Sequence, residues 1–124
     1  MRDTSGGDPQ AYLDYLQRMP SPTELLPDDL AAQLPPLRGQ EHLGWDGIVH
    51  VKYFSPYTNW TWYATEYDGV DEFYGFVIGF EPEAGYFTLS ELQSMGALIE
   101  RDLYFTPAPL RDVVRTHGVE PYNN

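Results

Sequence analysis

The spacing of apolar residues changes from helical to alternating partway along the chain. Asp8 and Pro9 supply an N-cap and a first helical residue. After them, Tyr12 with Leu16 and Tyr15 with Met19 stand four apart, which predicts a short amphipathic helix within residues 8–19. Pro20 and Pro22 end it in a stiff linker. A second helix fits residues 27–34, with Pro27 in the first turn, Asp28 and Asp29 complementing the dipole, and Leu26, Leu30 and Leu34 on one face. Pro35 and Pro36 stop it, and residues 37–47 read as a loop.

From Ile48 onward the pattern is that of strands. β-Branched and aromatic residues fill 48–54, 60–67 and 72–80, as a pleated surface prefers. The segment "SPYTN" connects the first two runs and "DGVD" turns the second into the third. Residues 81–85 read as another turn, followed by a short fourth strand at 86–89. Thr88 and Glu91 have the spacing of a capping box and open a helix that ends near Gly96. An edge strand is expected at 102–105. Leu110, Val113, Val114 and His117 then define a last helix, stopped by Gly118. The expected fold class is α+β, an antiparallel meander of about four to five strands with short flanking helices. Residues 1–22 are expected to form a flexible N-terminus with a short helix and a Pro linker, ahead of a single domain over 23–124.

Strict alternation in the 60–80 hairpin assigns Thr61, Tyr63, Thr65, Tyr67, Tyr74, Phe76, Ile78 and Phe80 to one face. Trp60, Trp62, Ala64, Glu66, Phe73, Gly75, Val77 and Gly79 take the other. Gly75 and Gly79 then leave room for the indoles. Because both faces are ring-rich, one is expected to pack on helices and the other to be covered by terminal helices, a second copy of the chain or a partner.

Charge narrows the partner classes. The 124 residues carry 7 Lys and Arg against 19 Asp and Glu, a formal charge of −12, and no basic residue occurs from Tyr53 to Glu100. Such a surface repels phosphate backbones, so direct nucleic-acid binding is not expected; a protein partner with a basic surface is. The absence of Cys removes disulfides and thiolate chemistry. With no apolar run long enough to span a bilayer, no membrane association and a cytoplasmic location are expected. The three His residues are scattered and the acids at the hairpin tip lack calcium-loop spacing, so neither a metal nor a cofactor is expected.

The polar candidates are His50, Lys52 and Glu66. If "SPYTN" joins its strands in even-to-even register, these three share a face with Trp60 and Trp62 and could form a small catalytic or ligand-binding pocket. A shift of one residue separates them, leaving Lys52 to snorkel, His50 to find a hydrogen bond and Glu66 to sit in water. The expected binding surface comprises Trp60, Trp62, Tyr63, Tyr67, Asp68, Asp71, Glu72 and Tyr74.

At "PPL" (Pro35 to Leu37), in the long run from Val51 to Leu92 that contains "NWTWYATE" and "GYFTLSEL", and at "IERDLYF", the chain resembles a bacterial domain family of unknown function. Genes of that family are commonly carried on plasmids, phages and conjugative elements. The resemblance covers roughly residues 24–110, implies an α+β fold in a mobile-element setting, and supplies no catalytic residues. Two departures stand out: the "QSMGALIERD" segment is short, and the two ends of the chain lie outside the shared core. Together with the charge, it leads to the expectation of a non-enzymatic accessory protein that binds a protein partner. The sharper form of that expectation is a DNA-mimic-like antagonist of a host defence system, of the anti-restriction or anti-CRISPR type.

Overall fold

Ring-rich strands paired antiparallel form the body of the protein, whose computed structural model describes residues 8–122. The first seven residues of the N-terminus expected to be flexible lie outside the described residues. Helix α1 (Pro9–Arg18) is capped by Asp8, whose side chain accepts from the Gln10 N–H, and α2 is a single turn, Asp28–Ala31. Then come β1 (Ile48–Val49), β2 (Val51–Phe54), β3 (Thr61–Tyr67), β4 (Glu72–Ile78) and β5 (Pro82–Thr88). Helix α3 (Leu89–Ser94), β6 (Glu100–Arg101), β7 (Ala108–Pro109) and α4 (Leu110–Arg115) complete the order. Among the described residues the strands form a five-stranded antiparallel sheet in the order β5-β4-β3-β2-β6, and β1 pairs with β7. The fold is α+β. No helix among the described residues is long and apolar enough to cross a membrane.

Several local expectations shift, each for a physical reason. The run 48–54 is two strands, because at His50 the chain changes partners from β7 to β3 and β6. The turn after β4 tightens around Gly79 to Glu81, and Pro82 takes the first position of an edge strand, where a missing N–H costs nothing. β5 is therefore seven residues long. The edge strand falls on 100–101 rather than 102–105, since Asp102 turns the chain by accepting the Tyr104 N–H on its side chain. Residues 41–46 of the expected loop form a short 3-10 helix, Glu41–Asp46, kinked at Gly44. The capping box of α3 closes with both of its hydrogen bonds.

Two cores lie on opposite faces of the sheet. Val51, Tyr53, Trp62, Ala64, Tyr67, Phe73 and Phe87 face Leu25, Leu34, Leu92 and Ile99. On the other side Val49, Tyr63 and Phe76 pack against Val113 and Val114 of α4. The C-terminal helix thus covers part of the second face. Helix α1 docks instead on the 3-10 turn Gly96–Leu98, where the Ala97 N–H donates to the Met19 carbonyl at 2.9 Å. Fully buried Tyr53, Phe73, Leu92 and Ile99 each contribute about 1.5–3 kcal/mol through area removed from water.

The hairpin register departs from strict alternation at one point. Tyr63 opposes Phe76 and Ala64 opposes Gly75, but then Glu66 opposes Tyr74 and Tyr67 opposes Phe73. Thr65 is the extra residue of a β-bulge, and its hydroxyl donates to the Tyr74 carbonyl at 3.1 Å. Past the bulge the faces exchange: Tyr67 joins Trp62 on the helix-covered side and Glu66 turns to the other. Trp60 and Trp62 stay together as expected, their rings 5.8 Å apart.

The two glycines leave room for different things. A Cβ on Gly79 would stand 2.6 Å from the Trp60 ring, whereas one on Gly75 would collide with the Tyr63 carbonyl. Backbone cannot yield as a half-buried indole can. Gly75→Ala is therefore expected to destabilise the protein by about 3 kcal/mol and Gly79→Ala by about 1 kcal/mol. Urea unfolding midpoints measure both, and equal losses would contradict the assigned contacts.

Candidate functional site

The loop before β1 is fastened to the bulge by side chains that lie far from it in sequence. The Tyr67 N–H reaches the Pro35 carbonyl, and Arg38 turns the chain with a φ of 70°. This turn aims two backbone N–H groups at one carboxylate. Arg38 donates to Glu66 Oε1 at 2.7 Å and Gln40 donates to Oε2 at 2.9 Å. Glu66 is only 4% exposed, and both oxygens accept, a pattern that suits the ionised form. Gln40 finishes the clamp. Its amide donates to the Thr65 and Ile48 carbonyls and accepts from the Ile48 N–H.

Between this loop, the exposed face of β4 and β5, and the C-terminal segment lies a cavity of about 370 Å³. Tyr74 and Tyr86 form its sheet side, with ring centroids 4.9 Å apart. Trp45 also lines it, packed on Phe76 and edge-on to Tyr122, whose carbonyl accepts from the indole N–H at 3.0 Å. An ion pair between Arg111 and Asp46 at 2.8 Å ties the Trp45 segment to α4. Two acids and one base line the space: Glu66 at its inner side, and Arg38 and Glu41 paired with each other at 3.6 Å. Burial, followed by the charges of Tyr86, Glu66 and Glu41, pushes the Tyr74 hydroxyl up from its ordinary value. The walls can hold a ligand by ring faces and negative potential.

The predicted polar trio does not assemble. Even residues of β2 pair with odd residues of β3, Lys52 with Tyr63 and Phe54 with Thr61, so Lys52 stands on the face away from Trp62. The bulge takes Glu66 into the aromatic cavity, while His50 and Lys52 line a separate cleft of about 200 Å³ with Asp102. Trp60 and Trp62 line neither space. The expected pocket of Trp60, Trp62, His50, Lys52 and Glu66 is accordingly corrected, for a register reason: one loop offset and one bulge.

Within the cleft region, Lys52 pairs with Asp102 at 3.4 Å and lies 6.0 Å from the Tyr63 ring. Tyr63 in turn meets His117 Nε2 at 2.6 Å. Burial pushes the Tyr63 hydroxyl up to about 12, and burial aided by the Lys52 charge holds His117 below 6.5. His50 Nδ1 is buried with no hydrogen-bond partner.

Burial also divides the expected binding surface. Trp62, Tyr63 and Tyr67 are buried, which takes them out of any contact surface of the folded chain. Trp60, Asp71, Glu72 and Tyr74 are half-buried and Asp68 is exposed. Two of the tip acids have local work: Asp68 accepts from the N–H groups of residues 70, 71 and 72, and Asp71 accepts from the Ser90 N–H and hydroxyl. Sequence reasoning missed Gln40, Trp45, Asp102 and His117 as partners in these sites. For Asp102 a signal existed, its place in the "IERD" segment beside "VKYF", since β6 pairs with β2.

Two outcomes follow from this geometry. Glu66→Gln places an amide NH2 against one of the two converging backbone donors and is expected to cost about 1–3 kcal/mol of stability, read from urea unfolding; an unchanged midpoint would deny the clamp. His50 and His117 are both held below 6.5 by burial, so the unfolded chain takes up their protons first. Their contribution is intact above pH 6.5 and is lost as pH falls from 6.5 through their folded values. Thermal unfolding should show that decline, and His117→Gln should flatten it. The Asp68 contribution disappears in a separate and more acid window, because its three backbone donors hold its pKa below the ordinary 3.8.

Comparison with known families gives a match over most of the chain. No curated protein and no solved structure matches the chain. The family described as protein of unknown function, DUF2958, matches residues 25–115, from the start of the helix-side core through α4. The chain belongs to that domain family of unknown function.

Proposed function

We propose that the protein is a non-enzymatic accessory protein that acts by binding a protein partner with a basic surface. One observation carries the reading: the stretch from Tyr53 to Glu100, without Lys or Arg, is the part of the chain that folds into β3, β4, β5 and α3. The base-free half of the sheet ends in β5, an edge strand with Glu83, Ala84 and Tyr86 exposed. The side chains of Glu81 and Glu83, which make no turn or cap hydrogen bond among the described residues, stand exposed at that edge. Such a surface raises the encounter rate with basic partners and repels nucleic acid.

The mobile-element setting implied by the sequence resemblance makes a host defence protein with a phosphate-binding surface the class of partner to test. In that case the carboxylates occupy ground meant for DNA phosphates. Carboxylate mimicry of this kind depends on charge and is screened by salt, with a Debye length of about 10 Å at 0.1 M.

Affinity capture from host cells at about 0.1 and 0.5 M salt tests the reading, using the wild type and an E81K/E83K variant. The expected result is a partner retained at low salt and lost at high salt or on charge reversal, with unchanged thermal stability. A complex indifferent to both changes would remove the charge-led partner.

A further inference from the structure

The aromatic cavity has a chemistry of its own. Glu66 is buried, yet no cationic side chain lies within ion-pair distance of it among the described residues. Two backbone N–H groups answer its oxygens, but these are dipoles and leave the formal charge in place. A buried carboxylate without a counter-ion is costly, and a cation able to approach it gains from the low dielectric. The one base of the lining does not take that place. The Arg38 side chain is 80% exposed and turns to Glu41 at the rim.

The remaining walls are ring faces. Tyr74 and Tyr86 stand on the sheet, Trp45 lines the same space where it packs on Phe76, and aromatic faces attract cations through their quadrupoles. Tyr86 is 57% exposed, so one ring stands open at the mouth. At about 370 Å³ the space is at the small end of ligand sites and suits one head group rather than a large cofactor.

The geometry points to a receptor site for a single organic cation, a guanidinium or an ammonium group, held between Trp45, Tyr74 and Tyr86 with Glu66 behind it. The same chemistry is offered by an Arg or Lys side chain of a protein and by a small free cation. Only the choice of the protein side chain as source rests on the proposed partner binding.

Titration of the folded protein, followed by the indole N–H resonances of its tryptophans, tests the site. The probes are N-acetylarginine amide, tetramethylammonium, a short peptide with one central Arg, and N-acetylnorleucine amide as the neutral control. Saturable shifts of the Trp45 resonance with the cations, steady Trp60 and Trp62 resonances, and no response to norleucine are expected. Tyr86→Ala, at an exposed position, should weaken cation binding about fivefold or more. Tighter binding of the peptide than of either small cation assigns the source to a protein side chain; equal binding assigns it to a free cation.

Equal response to the neutral control, no saturable shift, or an unaffected Tyr86→Ala variant would overturn the site. E81K/E83K lies outside the cavity and should leave probe affinity unchanged. Partner capture that fails while probes still bind removes the partner reading alone, and the reverse removes the cavity alone.

Discussion

A single extra residue in a central strand governs what this fold can offer to other molecules. Without the bulge at Thr65, two-residue periodicity would put Glu66 under the helices with Trp62 and Ala64, a carboxylate inside an apolar core. That placement would be expensive. The extra residue turns Glu66 to the opposite face and brings Tyr67 into the core in its place. Once turned, the carboxylate needs donors, and the chain supplies them from the backbone at Arg38 and Gln40. The loop so captured carries Trp45 into the lining of the cavity that Tyr74 and Tyr86 share. Bulge, carboxylate, loop and cavity are one arrangement.

The density of rings in the hairpin follows from its position. β3 is the middle strand of five, and every one of its residues is buried, with helices α2 and α3 on one side and α4 on the other. A strand covered on both faces has no solvent side to hold polar residues, so rings fill it in both directions. The neighbouring strand has a barer outer half, which is where Tyr74 opens into the cavity. Acids follow a similar division: Asp68, Asp71 and Glu91 close turns and caps, while Glu81 and Glu83 are left to the solvent edge.

How much of this was legible depended on the range of the interaction. Local signals held: the Asp8–Pro9 start of α1, the Thr88–Glu91 capping box, the Asp-Gly hairpin turn and the shared side of Trp60 and Trp62. Each is fixed by residues within a few positions of one another. The pocket was not legible, because it depended on parity across a loop and through a bulge. One offset at "SPYTN" moved Lys52 to the opposite face, and the break at His50 changed its strand partner. Gly75 carried the trace of the bulge, but its missing Cβ made room for the Tyr63 carbonyl rather than for an indole. The donors to Glu66 are backbone groups, which have no side-chain signature at all.

The most direct test of this account is amide hydrogen exchange at Arg38 and Gln40 under native conditions. Both residues sit on a loop, Arg38 is largely exposed, and an unfastened loop would let both N–H groups exchange at nearly free rates. If their protons are held by the Glu66 carboxylate, the two amides should exchange as slowly as those of β3. Exchange at free-loop rates, with β3 still protected, would contradict the fastening of the loop to the bulge and with it the cavity that the loop encloses.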